Sequence, residues 1–237
     1  MKSIEQQQDS ILDLLSGKIE GYYLAGGTAL SRHYLHHRES IDLDFFTKKF
    51  DINQITAVIN SLSDKLGKPV DTSMIQSKSG LTKVAVYFVR FSPDSSLKLD
   101  FAEDFFALIK PLKPVNGIDI LSIEDIYLRK LYAAAGTISR TDATGRSLLI
   151  GGRAEAKDYF DLYVLSTVFM PLSDFISKYA DNSLKEGLIR WFATYDRLDM
   201  KTGLLEIKAN SPFDFSATEK HFKKEVDIII EKEIDLP

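Results

Sequence analysis

The sequence contains no cysteine in 237 residues. That absence excludes disulfides, thiolate nucleophiles and cysteine-ligated zinc together. No apolar run approaches the roughly 20 residues that span a bilayer. The first ten residues, MKSIEQQQDS, have neither the apolar core of a signal peptide nor transit-peptide character. A cytoplasmic protein without a membrane span is the expectation. Neither sign of charge dominates: 30 Lys+Arg stand against 34 Asp+Glu, a net charge of -4. A bulk basic surface for nucleic acid is therefore missing, although a local basic patch is compatible with that total. What remains is an ordinary globular composition, 44% hydrophobic and 27% charged. The length fits one large domain or two small ones at about 100–200 residues each.

Periodicity divides the chain in two. Helical spacing of Ile4, Ile11, Leu14 and Leu15 predicts a helix over 3–17. Residues 21–26 are a short apolar run closed by glycine, a buried strand, and 28–37 form a helix after it. Residues 41–46 alternate apolar and acidic, which is strand period. A helix follows over 52–66, ended by Gly67-Lys68-Pro69. Three strands are expected over 70–76, 81–91 and 96–103, broken at Ser79-Gly80 and Pro93-Asp94. After Pro111 and Pro114 the pattern becomes helical, over 122–135, 153–167, 172–180, 183–195 and 216–232. The expected class is α+β, a mixed α/β domain over 1–116 followed by a helical domain over 117–237. Residues 137–152, rich in Gly, Ser and Thr with Arg140 and Arg146, read as a surface loop, or alternatively as a lid or nucleic-acid contact.

The strongest chemical signal is Ile41-Asp42-Leu43-Asp44-Phe45. In a strand, residues i and i+2 share a face, so Asp42 and Asp44 project together while their apolar neighbours pack behind. Side-by-side carboxylates repel, and aspartate is depleted in strands. A divalent cation between them resolves the conflict, since Mg²⁺ prefers oxygen ligands from one or two carboxylates plus substrate phosphates. Leu97-Lys98-Leu99-Asp100-Phe101 repeats the pattern and offers Asp100 as a third acid for a two-metal site. The plain alternative is a hairpin with solvated acids. Gly26-Gly27-Thr28 stands between a strand and a helix, where glycine lets a ligand approach the backbone and helical N–H groups suit phosphate. An ordinary turn is the alternative there.

These residues resemble a known family. Gly26-Gly27-Thr28-Ala29-Leu30 and Arg38-Glu39-Ser40-Ile41-Asp42-Leu43-Asp44-Phe45-Phe46 are similar to the AbiEii/AbiGii-type nucleotidyltransferase toxins of the DNA polymerase β-like superfamily. Ser122 to Tyr132, with Lys130, resembles the family's helical motif with a single lysine. Arg153-Ala-Glu-Ala-Lys157-Asp158-Tyr-Phe-Asp161-Leu162 resembles its closing motif. The resemblance implies a polymerase β-like nucleotidyltransferase domain with a mixed sheet. It implies transfer of a nucleoside monophosphate from an NTP, with Mg²⁺ or Mn²⁺, onto an acceptor such as the 3′ end of tRNA, by the toxin of a toxin–antitoxin pair with its cognate antitoxin. Gly26, Gly27 and Thr28 would hold phosphates. Asp42 and Asp44 would bind metal, with Asp100 as the superfamily's third carboxylate. Lys130 would contact the NTP phosphates, and Asp158 would be the late catalytic acid with Lys157 beside it.

The residues add their own constraints. Lys130 falls within the apolar stripe of its helix (Ile123, Ile126, Tyr127, Leu131), so it faces a polar cleft or snorkels. Asp161 is expected to be structural, bonded to Lys157 or a loop backbone. His33, His36 and His37 lack an acidic third ligand and read as a helix end rather than a metal site. Arg32 and Arg38 are better candidates for phosphate contact. Phe105, Phe106, Tyr159, Phe160 and Tyr163 read as core, and Lys220, Lys223 and Lys224 as solvated surface. The competing functions are nucleotidyl transfer to a protein or small molecule, and a non-catalytic NTP- or partner-binding module on the same fold.

Overall fold

The computed structural model describes residues 3–78, 80–141, 145 and 147–234, with the backbone alone at 141, 147 and 148. It falls into two compact units. One comprises the chain up to His36 together with Ser40–Asp125; the other comprises His37–Glu39 and the chain from Ile126 onward.

The first unit is built on a mixed seven-stranded sheet. Its elements are helix α1 (Ile4–Leu15), strand β1 (Tyr22–Ala25), helix α2 (Gly26–Leu30), strand β2 (Leu43–Thr47) and helix α3 (Ile52–Leu66). Strands β3 (Val70–Gln76), β4 (Val84–Ser92), β5 (Ser95–Glu103), β6 (Lys113–Val115) and β7 (Ile118–Ile120) follow. The strand order is β3-β4-β5-β2-β1-β7-β6. β2 and β5 run parallel, as do β1 and β7; the other pairs are antiparallel. Alternation puts Leu43 and Phe45 of β2 with Leu97, Leu99 and Phe101 of β5 on the buried face. The Phe45 and Phe101 rings stack with centroids 5.3 Å apart. Ile11 and Leu15 of α1 and Ile55, Ile59 and Leu62 of α3 are also buried. The opposite face of β2 and β5 carries the aspartates. Asp51 caps α3 by accepting from the Asn53 and Gln54 amides.

The second unit contains helix α4 (Ile123–Ala135) from Ile126 onward, a hairpin of β8 (Gly136–Thr141) and β9 (Ser147–Gly151), and helices α5 (Ala156–Val164), α6 (Leu172–Tyr179), α7 (Asn182–Thr194), α8 (Arg197–Leu204) and α9 (Phe215–Ile234). Its core is aromatic. Tyr159 lies among Trp191, Tyr195, Phe215 and Phe222, and Tyr127 stacks on Phe175 at 4.1 Å.

Several expectations change. Within the 137–152 stretch, the described residues up to Thr141 and from Ser147 to Gly151 pair as antiparallel strands rather than forming a loop. Gly152 permits it, because a Cβ there would stand 2.9 Å from the Ala134 carbonyl carbon at the end of α4. Arg140 is exposed in β8, and Arg146 lies outside the described residues. The expected boundary near 116 falls inside the β6–β7 turn, and β7 joins the sheet by pairing with β1. The helix expected over 28–37 starts at Gly26, passes into a π-helical turn at Ser31–Leu35, and ends at His36 in a left-handed conformation. The helix expected from 153 starts at Ala156, leaving Arg153 before it. Phe105, expected in the core, is 65% exposed. Among the described residues no single helix is long and apolar enough to cross a membrane.

Candidate active site

On the first unit's sheet, Asp44 of β2 stands directly opposite Asp100 of β5 in a parallel register that runs from Leu43–Leu99 to Thr47–Glu103. Asp42 precedes β2 by one residue and falls beside Lys98 if that register is continued back. The Lys98 ammonium forms an ion pair with the Asp100 carboxylate at 2.5 Å. Burial disfavours charge on Lys98. The hydrogen bond to Asp100 and the charges of Asp100, Asp42 and Asp44 outweigh it and hold the pKa above the ordinary lysine value. Three aspartates thus already stabilise one cation. Lys98 shares the face of Asp100 by simple i, i+2 alternation, a signal present in the sequence but not used there.

The glycine turn supports this face. Gly26 has a φ of +66°, and a Cβ on it would lie 2.9 Å from Cγ of Asp44 and closer still to one carboxylate oxygen. No other residue type fits there without moving Asp44. Thr28 is fully buried, and its hydroxyl donates to the Asp42 carbonyl. A hydroxyl has one proton, so the 2.9 Å contact between Thr28 Oγ1 and Ser40 Oγ requires Ser40 to donate. Thr28 therefore fixes the backbone of Asp42, and its hydroxyl proton is not directed at a phosphate.

The second unit holds a separate ionic cluster. Asp158 and Asp161 lie one turn apart on α5, both fully buried. Lys130 of α4 reaches Asp158 at 2.6 Å and Asp161 at 2.7 Å. Arg38 grips Asp161 with two nitrogens, at 2.6 and 2.9 Å, and donates a third bond to the Glu39 carbonyl. His37 Nε2 meets the same carboxylate at 2.8 Å, and Arg153 meets Asp158 at 2.6 Å. Burial would raise both aspartate pKa values. The Lys130 charge, joined by Arg153 at Asp158 and by the Arg38 and His37 hydrogen bonds at Asp161, wins and lowers both. Lys130 itself is buried, but the charges of Asp161 and Asp158 push its pKa above the lysine norm.

The structure therefore brings Gly26, Asp42, Asp44 and Asp100 together in one unit, and Lys130 and Asp158 together in the other. Asp161 bonds to His37, Arg38 and Lys130 rather than to Lys157, and the half-exposed Lys157 pairs with Glu155 at 3.3 Å. The polar edge of Arg38, expected on phosphate, is taken up by Asp161. Arg32, expected in the same role, bonds Gln8 and Asp9. Among the described residues no three or more His, Asp or Glu are grouped to hold a metal unaided. Mg²⁺ rarely needs such a cage. It binds one or two carboxylates and completes its shell with water and substrate phosphates. The aspartate face, which already stabilises the cation Lys98, fits an ion of that kind.

The sequence model of the AbiEii nucleotidyl transferase toxins, a type IV toxin–antitoxin family, matches residues 11–232. The chain belongs to that family. As an AbiEii protein it is a nucleotidyltransferase, using an NTP, of toxin–antitoxin type. No curated protein matches it. Solved structures share its fold. A protein from Helicobacter pylori described as a putative nucleotidyltransferase superposes with a TM-score of 0.59 at 21% identity, over 99% of this chain and 97% of its own. JHP933, also from Helicobacter pylori, gives 0.58 at 21% identity, over 96% and 90%. MenT4, a nucleotidyltransferase toxin from Mycobacterium tuberculosis H37Rv, gives 0.58 at 14% identity, over 99% and 84%. The α+β class and the mixed sheet of this AbiEii protein agree with these neighbours.

Proposed function

We propose that the protein transfers a nucleoside monophosphate from an NTP to the 3′ end of tRNA in the cytoplasm, with Mg²⁺ or Mn²⁺ held by Asp42 and Asp44 and bordered by Asp100. The observation that carries this reading is the aspartate face itself: Asp44 stands opposite Asp100 on parallel strands, Asp42 lies two residues before Asp44, and Lys98 pairs with Asp100. A bound divalent ion would neutralise the triphosphate and the leaving pyrophosphate, the main requirement of phosphoryl transfer. The acceptor hydroxyl oxygen forms a bond to the α-phosphorus, the bond from that phosphorus to the pyrophosphate oxygen breaks, and the hydroxyl proton passes to a carboxylate of the aspartate face.

Gly26 and Gly27 give the triphosphate access to backbone at the start of α2. The family resemblance assigns phosphate contact to Lys130 and the late acid to Asp158, with Lys157 beside it; within the second unit the Lys130 ammonium pairs with Asp158 and Asp161. Arg38 acts through Asp161 as a positioning residue. Supporting this division, Lys130 is kept charged by two buried acids that are themselves clamped by Arg38 and Arg153.

The net charge of -4 favours a second acceptor class, a protein or small molecule. Incubation with Mg²⁺, total RNA and each α-³²P-NTP in turn separates the two. Label on tRNA-sized RNA, lost in Asp42→Ala/Asp44→Ala, is the expected result. Label on no RNA with any of the four NTPs refutes the tRNA acceptor.

A further inference from the structure

We propose that Lys98 is a resident counter-cation of the aspartate face, which a divalent ion must evict from Asp100 in order to bind. This rests on the metal-binding reading of that face. Asp44 and Asp100 are paired across adjacent strands, and Asp42, two residues before Asp44, is near enough for its charge to act on Lys98. Without a cation, three like charges would crowd one half-buried sheet surface. Lys98 supplies positive charge from within the sheet, through its ion pair with Asp100 at 2.5 Å.

A divalent ion bound to these carboxylates would sit within a few ångströms of the ammonium. The two cannot share Asp100 without strong repulsion. One of them leaves, and Lys98 has the freedom to do so: its flexible four-carbon stem is a third exposed. The arrangement makes metal affinity low until a substrate that brings phosphate charge tips the exchange. Lys98 is thus a positioning residue that stabilises the metal-free sheet and sets a threshold for metal loading. Its neighbour across β4, Phe88, carries no charge that could replace it.

The test is a Mn²⁺ titration of the full chain, read from the free-ion electron paramagnetic resonance signal, with melting curves run alongside. Wild type, Lys98→Met, Lys98→Gln and Asp42→Ala/Asp44→Ala are compared. Lys98→Met keeps the stem and removes the charge, and Lys98→Gln keeps a donor for Asp100. Both are expected to bind Mn²⁺ about tenfold or more tightly than wild type, because one adjacent like charge is gone. Both are expected to melt lower than wild type without metal and to gain more from it. An equal or weaker affinity in the two variants overturns the Lys98 inference and leaves the metal reading standing. Mn²⁺ binding by none of the proteins, or binding that survives Asp42→Ala/Asp44→Ala, overturns both.

Discussion

Gly26 and Asp44 occupy complementary space: the carboxylate of Asp44 lies where a side chain on residue 26 would be. The pair joins the glycine turn to the acid strand, which the sequence shows as two motifs 18 residues apart. Gly26→Ala therefore has two effects. The positive φ adds strain of about 1–3 kcal/mol, and the new methyl displaces Asp44. Gly21 is the control, since it also has a positive φ, +79°, but nothing lies within 4 Å of an added Cβ. Both variants should melt lower. Only Gly26→Ala should lose transfer activity per folded molecule, by about 100-fold, as expected for a displaced reacting group. Equal activity in the two would refute the link.

Thr28 separates two roles by kinetics. Its hydroxyl holds the Asp42 carbonyl. Thr28→Val keeps the shape and removes the donor to that partly buried acceptor, at up to about 1–3 kcal/mol. The expected change is a fall in kcat with little change in KM for NTP, restored by Thr28→Ser. A rise in KM alone would mean that Thr28 contacts phosphate instead.

Asp161 is expected to be among the most costly acids to neutralise. Its carboxylate serves His37, Arg38 and Lys130 at once. Asp161→Asn leaves buried cations undercompensated, a loss of about 3–5 kcal/mol. Asp71→Asn breaks an exposed pair with Arg90 and should cost no more than about 1 kcal/mol. Denaturant unfolding of the two variants measures the contrast, and similar losses would contradict it.

The same cluster sets an acid limit. Asp158 and Asp161 have pKa values lowered on folding. Their contribution is complete above the unfolded value, about 3.9, and is lost as pH falls through the lower folded values. Lys130 is raised, so its contribution persists through neutral pH and is lost only in alkali beyond the ordinary lysine value. The stability gap between wild type and Asp161→Asn should be level from pH 5 to 9 and narrow below about pH 4. A gap that closes near pH 6 would implicate a different group.

How much of this was legible depended on the range of each interaction. Alternation at i, i+2 put Asp42 and Asp44 on one face of their own strand, whereas the placing of Asp100 opposite Asp44 is set by the β2–β5 register. The helices α1, α3, α6, α7 and α9 have enough turns for their apolar stripes to be read. β6 and β7 have three residues each, too few for any period. Helix α8 has the same eight residues as α6 in length, but its sequence is mostly polar and buries only Met200 and Leu204, so its local signal is Asp196, which caps it by accepting from the Leu198 and Asp199 amides. Buried acids such as Asp104 and Asp125 each have a short-range partner, the Phe106 amide and the Ser122 hydroxyl, but no local pattern shows that Tyr23 and Lys48 reach Asp104 or that the Ile109 and Lys110 amides reach Asp125. These longer-range partners lie 15 or more residues away.

Local order in the sequence determined the strand carrying the acids, the glycine turn before it and the family to which the chain belongs, because period and motif are properties of neighbouring residues. Tertiary structure decided the partners. It placed Lys98 among three aspartates, turned Thr28 toward the Asp42 backbone, and joined Arg38 to an aspartate 123 residues further on. A buried charge must be matched by whatever charge the folded chain brings within a few ångströms, and that distance is set by the packing of sheet and helices.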